Sequence, residues 1–154
     1  KVAGTERGLG REPEATFSAC FGAPFLPRHP GIYAAMLGAK LRHRRVQCWM
    51  VNTGWVGGPF GVGERMKLKF TRAMLNAAIS GALDSATFTP HPVFRVMVPS
   101  SCPYVHPELL DAREMWADKM AYDRAAAHLS GLFNRNFKKF DGVDREIVEA
   151  APAL

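Results

Sequence analysis

Five glycines crowd into the ten residues 54–63, at Gly54, Gly57, Gly58, Gly61 and Gly63. Glycine adopts backbone conformations that other residues avoid, and its missing side chain lets a backbone come close to a ligand and turn its N–H groups toward an anion. The loop pattern therefore favours a phosphate as its ligand. It lacks the Gly-Lys-Ser/Thr of a Walker A loop and the third glycine of a dinucleotide fingerprint.

Basic residues follow this loop at alternate positions, Arg65, Lys67 and Lys69. An extended segment would aim all three toward one side. Thr71 then stands where it could cap a helix predicted over residues 71–83. The alternative interpretation is that Lys67 and Lys69 are only solvated and that Thr71 is only a cap.

Length and composition indicate one globular domain. The chain has 154 residues, of which 47% are hydrophobic and 22% charged, with a formal net charge of +6. No apolar run reaches the roughly 18–20 residues of a membrane helix, so no membrane partner is predicted. The charge suits phosphate-bearing partners in general, but the basic run at 42–45 reads as a solvated helix end and does not favour nucleic acid.

Few residues are candidates for catalysis or metal binding. Cys20, Cys48 and Cys102 are odd in number and widely spaced, which predicts neither a disulfide framework nor a zinc knuckle. The five histidines show no metal-ligand spacing, and Ser18 has no recognisable partner base. We therefore predict no catalytic residue and no metal site within the chain. Its compartment is expected to be reducing, either the cytoplasm or an organelle, with no secretion.

Periodicity and turn residues give a coarse layout. Helices are predicted over 30–44, 71–83, 116–140 and 144–150, and the aromatic stripe of the third is expected to be core. A strand covered on both faces is predicted over 46–52, and a weak edge strand over 93–98. Residues 1–15 are predicted to form a mobile loop, and residues 16–22 a short buried strand or turn. This mixture indicates an α/β or α+β fold.

Several segments together resemble the ATP-dependent phosphoenolpyruvate carboxykinases. The resemblance rests on Thr16–Gly22, on Val51–Gly63, on Arg65-Met66 through Ala73, and on further matches at Trp116–Lys119, Tyr122-Asp123 and Asn136–Phe140. It covers nearly the whole chain as that family's carboxy-terminal portion. Lys1 stands where an initiator methionine would, so a fragment or a processed product is expected.

The resemblance implies an α/β fold, the carboxy-terminal part of a mononucleotide-binding domain with a mixed sheet and flanking helices. Residues 1–154 would form a single partial domain, with a lid-like loop at 1–15 and a nucleotide-binding lobe at 16–154. The implied reaction converts oxaloacetate and ATP to phosphoenolpyruvate, carbon dioxide and ADP.

Nucleotide binding carries over to Arg65, Met66 and Thr71. The divalent metal, Mg²⁺ or Mn²⁺, and the catalytic groups would lie mainly outside this chain, so the chain alone should be inactive. Its partners would be the amino-terminal remainder of the carboxykinase and the substrate oxaloacetate.

One residue and one segment depart from the family pattern. The residue is Glu64, which could weaken phosphate attraction, and the segment is 101–106, an unusual form of a proline-rich loop. An alternative hypothesis is that a carboxykinase-derived chain serves as a non-catalytic subunit of a larger assembly. In either case a partial α/β fold is expected to expose apolar surface where the missing strands belong.

Overall fold

The helices and strands are short and joined by tight turns. The computed structural model describes residues 16–17, 22–44, 46–52 and 54–153. The elements in chain order are a 3₁₀ turn at Ala23–Phe25, α1 (Pro30–Arg44), β1 (Trp55–Val56), β2 (Glu64–Arg65), α2 (Leu68–Ser80), β3 (Phe88–Pro90), β4 (Met97–Pro99), a second 3₁₀ turn at Pro107–Leu109, α3 (Lys119–Phe137) and α4 (Arg145–Glu149). None of the helices in these residues is long and apolar enough to cross a membrane.

The chain divides into two compact units, of which the first comprises Lys1–Gln47 and Asn134–Ala150. Its main element, α1, spans the predicted residues 30–44, with Pro30 in the first turn, where the missing N–H costs nothing. His29 meets Phe140 edge to face at 6.3 Å, and Arg42 pairs with Glu146 at 3.5 Å. The predicted closing helix is confirmed as α4.

The second unit comprises Cys48–Phe133 and Ala151–Leu154. Its small core joins α2 to the loops that follow it and consists of Ala77, Leu83, Cys102 and Val105, with Trp49, Met74 and Phe88 among the residues packed around them. Gly81 ends α2 in a left-handed conformation, φ +77°, where a glycine is favoured. The unit also holds two antiparallel hairpins, β1–β2 and β3–β4.

The segment 46–52 corrects one sequence prediction. It forms no strand, and the exposed fraction is 56% for Val46 and 87% for Met50. Only Trp49 is partly covered, through its ring contact with Phe88 at 5.9 Å. A strand covered on both faces needs a neighbouring strand on which to pair, and the described residues supply none beside this segment.

The apolar stripe that was predicted as core in this region is only partly buried. The helix exists, but Leu129 and Phe133 remain 37% and 42% exposed. The small residues Ala126 and Ser130 make its buried contacts, and the Ser130 hydroxyl donates a hydrogen bond to the carbonyl of Ala153. Leu132 and Phe137 are half-buried, so the stripe is covered in part.

The observed fold confirms the predicted mixture of helices and strands. Two small antiparallel sheets account for the strands of the described residues, and the larger mixed sheet stays a prediction. The predicted loop at 1–15 and most of the predicted strand or turn at 16–22 lie outside the described residues.

Candidate functional site

The glycine-rich segment folds as the turn of a β-hairpin. Trp55 pairs with Arg65 and Val56 with Glu64 across the two strands, and the Met66 N–H donates to the Gly54 carbonyl at 3.1 Å. Within the turn, the N–H groups of Val62 and Gly63 both donate to the carbonyl of Pro59, at 3.0 and 2.8 Å. At least two of the N–H groups expected to face an anion are therefore used inside the loop.

Steric demands of the hairpin explain two of its glycines directly. Gly61 has φ +85°, a conformation that side-chain-bearing residues rarely adopt. At Gly63 a Cβ atom would lie 2.6 Å from the Val56 carbonyl oxygen and 2.7 Å from the Gly58 nitrogen. Both neighbours are backbone atoms, so position 63 cannot carry a side chain without moving the hairpin.

Arg65 ends β2 with an exposed side chain. Its guanidinium carbon lies 5.6 Å from the centre of the Trp55 ring, within the range of a cation–π contact. Within the part of the chain that the structure describes, no carboxylate lies within ion-pair distance of this guanidinium. Arg65 therefore presents a positive charge at the surface that no carboxylate of the described residues compensates.

Met66, the next residue, lies in a more buried and more apolar environment than Arg65. Its half-buried side chain lines a cavity of about 140 Å³ together with Trp55, Leu109, Met115 and Trp116. The hairpin also approaches this region through Gly57, where a Cβ would lie 3.2 Å from the Met115 carbonyl. Met66 thus supplies an apolar wall directly beside the exposed cation.

The helix after the hairpin begins three residues earlier than predicted. Lys67 is its N-cap in an extended conformation and makes no side-chain capping hydrogen bond, and α2 starts at Leu68. The expected cap, Thr71, instead lies inside the first turn with only 8% of its surface exposed. The prediction of Thr71 as a cap was therefore wrong, and the beginning of α2 carries no side-chain cap.

This shift also corrects the predicted row of basic side chains. Lys69 lies on the helix rather than on an extended segment, and its ammonium stands 4.7 Å from the centre of the Phe70 ring. Lys69 and Phe70 line an open depression of about 460 Å³ with Tyr104, Val105 and His106. These last three belong to the loop that the sequence marked as unusual, where Tyr104 has φ +63° and is 93% exposed.

The described residues contain no group of three or more His, Cys, Asp or Glu side chains that could hold a metal ion. Among the nucleophilic side chains, burial raises the pKa of the Cys102 thiol, which keeps that group protonated and unreactive at neutral pH. Among the described residues, the hairpin and α2 bring together a cation without a carboxylate partner, an apolar wall and a helix N-terminus without a side-chain cap.

Arg65 and Met66, which the sequence analysis assigned to nucleotide binding, lie at the junction of β2 and α2, and their role stays a prediction. The sequence analysis did not single out Trp55 and Phe60. These rings meet edge to face at 5.4 Å, and Trp55 is the cross-strand partner of Arg65. The available signal was the position of Trp55 and Arg65 on opposite sides of a glycine-rich turn. It indicates a contact only once the turn is interpreted as a hairpin with a defined register.

Comparison with known proteins gives one consistent family. A sequence model described as phosphoenolpyruvate carboxykinase matches residues 1–108. Phosphoenolpyruvate carboxykinase (ATP) of Thermus thermophilus is 57% identical over 153 residues, that of Nitrobacter winogradskyi 54% over 153, and a second form from Moorella thermoacetica 53% over 154. These matches cover 99%, 99% and 100% of this chain.

The coverage of the relatives is much smaller. The chain spans 29%, 28% and 29% of the length of these three proteins. It therefore corresponds to less than a third of each relative.

Proposed function

The chain belongs to the ATP-dependent phosphoenolpyruvate carboxykinase family, and from this premise we propose that it forms the carboxy-terminal portion of such an enzyme. The complete enzyme would decarboxylate oxaloacetate and transfer a phosphoryl group from ATP, giving phosphoenolpyruvate, carbon dioxide and ADP. This portion would contribute to the ATP site. The observation that carries the proposal is the junction of β2 and α2, where Arg65, which has no carboxylate partner among the described residues, stands next to a helix N-terminus without a side-chain cap.

The electrostatics of the junction favour an anionic ligand. The first N–H groups of a helix lack i→i−4 partners, and the aligned peptide dipoles place partial positive charge at that end. At α2 the Phe70 N–H donates to the Lys67 carbonyl at 3.0 Å, so the proposal concerns the N–H groups of Leu68 and Lys69. At α2 the N-cap Lys67 brings a further positive charge instead of a capping oxygen. With Arg65 beside it, this end of α2 suits the phosphates of a nucleotide better than a neutral ligand.

Met66 and Thr71 would divide the remaining contacts. The Met66 side chain would contribute an apolar wall and its backbone a polar edge, which are the two features that a nucleobase needs. Thr71 would donate or accept one hydrogen bond. Its burial in the first turn of α2 restricts that bond to a ligand group that reaches into the junction.

The rest of the reaction would depend on groups outside this chain. Phosphoryl transfer needs divalent metal ions and cationic side chains to offset the charge of the transferred group. We propose that the remainder of the enzyme supplies the ligands of Mg²⁺ or Mn²⁺, the oxaloacetate site and the catalytic residues. Residues 1–15 would serve as a lid that excludes water, and 1–154 as one partial domain of mononucleotide-binding fold.

The exposed segment 46–52 supports the proposal that the remainder of the enzyme packs against this chain. Val46, Met50 and Val51 expose 56%, 87% and 42% of their surfaces, and Trp49 packs against the core of the second unit, to which residues 48–52 belong. A nearly continuous apolar run is typical of a strand buried on both faces. We propose that the amino-terminal remainder covers it. The free thiols of Cys48 and Cys102 fit the proposed reducing compartment, cytoplasm or organelle.

Replacement of Arg65 in the full-length enzyme tests the proposal. Arg65→Ala removes a charge-assisted contact with the nucleotide, a loss of about 1.5–3 kcal/mol, so kcat/KM for ATP should fall roughly 10- to 150-fold. Arg124→Ala is the matched control, because its exposed ion pair with Asp118 at 3.5 Å contributes little.

Equal ATP kinetics in the two variants would contradict the proposed role of Arg65. A full-length protein without carboxykinase activity, whose assembly with other proteins is unchanged by Arg65→Ala, would instead support the alternative of a non-catalytic subunit.

A further inference from the structure

We propose that Trp55 is the positioning residue for the Arg65 guanidinium and that Phe60 in turn holds Trp55. The inference rests on the proposed role of Arg65 in ATP binding and adds to it the means by which the side chain is oriented. It makes Trp55 and Phe60 determinants of ATP affinity although neither is assigned a contact with the nucleotide.

The hairpin register brings the two side chains together. Trp55 and Arg65 are direct cross-strand partners, and such partners in an antiparallel pair project from the same face. The Arg65 guanidinium carbon lies 5.6 Å from the centre of the Trp55 ring. With strands of only two residues each, this pair forms half of the β1–β2 ladder, so the contact is built into the hairpin itself.

Phe60 approaches Trp55 from the turn. The two rings are inclined at 75° with centres 5.4 Å apart, the edge-to-face arrangement that aromatic pairs prefer. The turn that carries Phe60 is closed by the bonds from Val62 and Gly63 to the Pro59 carbonyl. Trp55 is thereby restrained by its own strand and by the turn.

Restraint of Arg65 matters because a long, exposed side chain loses conformational freedom when it binds a ligand, and that loss weakens binding. A guanidinium held against an aromatic face has less freedom to lose. It also keeps its in-plane N–H donors for a phosphate or a base edge. The absence of a carboxylate partner for Arg65 among the described residues leaves these donors available.

The test compares two replacements of Trp55 in the full-length enzyme. Trp55→Leu removes the ring and should raise KM for ATP about three- to tenfold, the range of one cation–π contact, with kcat within about twofold of the parent. Trp55→Phe keeps an aromatic face and should recover most of the loss. In an Arg65→Ala background, Trp55→Leu should add no further increase in KM.

Trp55 also lines the Met66 cavity, so a second variant separates positioning from packing. Phe60 is not among the residues that line that cavity. Phe60→Leu should therefore raise KM for ATP in the same direction as Trp55→Leu by a smaller factor, even if Trp55→Leu fails to fold.

Independent, multiplying effects of Trp55→Leu and Arg65→Ala would overturn the inference, as would an unchanged KM in the Phe60→Leu and Trp55→Leu enzymes. If Arg65→Ala itself has no effect on KM, the proposed function has failed instead. The two failures are thus distinguishable.

Discussion

The two hairpins of the second unit reach tight turns by different means. The β1–β2 turn uses glycines: Gly57 and Gly61 adopt φ +76° and +85°, and Gly63 packs where a Cβ has no room. The β3–β4 turn, residues 91–96, contains no glycine and places Arg95 at φ +59°. One turn depends on the absence of side chains and the other on the presence of one.

That side chain is His91. Its Nδ1 accepts hydrogen bonds from the N–H groups of Val93 and Phe94 at 3.1 and 3.2 Å. The ring proton is therefore on Nε2, which donates to the Tyr122 hydroxyl at 2.8 Å. The turn of the first hairpin is built on glycines, whereas the second hairpin is tied to α3 through His91 and Tyr122.

The largest expected effect is at Gly63. Gly63→Ala should lower the free energy of unfolding by about 3–4 kcal/mol, because the new methyl group meets the backbone of Val56 and Gly58. Chemical denaturation measures the change. Hydrogen exchange should show the loss of protection at Met66, whose N–H bonds to Gly54, while the β3–β4 amides stay protected. A change below about 1 kcal/mol would show that the hairpin backbone is not fixed as described.

Removal of His91 should come next. His91→Ala deprives two backbone N–H groups and the Tyr122 hydroxyl of partners, and we expect a loss of about 2 kcal/mol. His91→Asn keeps an oxygen that can accept from the N–H two residues ahead, so it should retain part of the stability. Tyr122→Phe removes only the ring-to-hydroxyl bond and is the control. Equal stability of the His91→Ala variant and the parent would contradict the side-chain origin of this turn.

A smaller effect is expected at Gly61. A Cβ at this position meets open space, so Gly61→Ala is opposed by its φ alone and should cost about 1 kcal/mol. Thermal unfolding of Gly61→Ala beside Gly63→Ala compares conformational strain with steric overlap in one turn. A cost for Gly61→Ala as large as that of Gly63→Ala would reject this separation.

The smallest effect is the pH dependence of the second hairpin. Burial lowers the pKa of His91 from its ordinary 6.5, and the facing charge of Asp111 opposes this only in part. Burial also raises the pKa of Tyr122, so the hydroxyl stays protonated near neutral pH. His91 is harder to protonate in the folded protein than in the unfolded chain. Its contribution to the free energy of unfolding is therefore complete above pH 6.5 and is lost as the pH falls from 6.5 through the lowered pKa.

Urea unfolding between pH 7.5 and 5 measures this dependence. The slope of stability against pH in this interval should be smaller for His91→Asn than for the parent. Identical slopes in the two proteins would contradict the account in which protonation of His91 lowers the stability of the folded protein.

The bounds of a helix or strand could be predicted from the sequence where neighbouring residues determine them, and could not be where a distant residue does. The bounds of α1 follow from periodicity and from Pro30, both of which are local. The strand expected at 93–98 begins only at Met97, because His91 turns the chain at residues 93–94 with a side chain that α3 holds 31 residues away. Nothing near residue 91 signals Tyr122, so sequence pattern had no access to this turn.

The candidate site shows the same division. Arg65 and Met66 were assigned to nucleotide binding through the family resemblance, and that assignment stays a prediction. The start of α2 was misplaced because Thr71 has a capping residue's chemistry, whereas the helix begins at Leu68 after the N-cap Lys67, which makes no side-chain capping hydrogen bond. Trp55 was missed because its contact with Arg65 depends on the register of the hairpin.

Photolabelling of the full-length enzyme with an azido-adenine derivative of ATP tests most directly whether the β2–α2 junction contacts the nucleotide. Peptide mapping should find the label between residues 64 and 71, with labelling suppressed by excess ATP and reduced in the Arg65→Ala variant. Labelling that ATP suppresses but that lies wholly in other peptides, with none in 64–71, would contradict the proposed site.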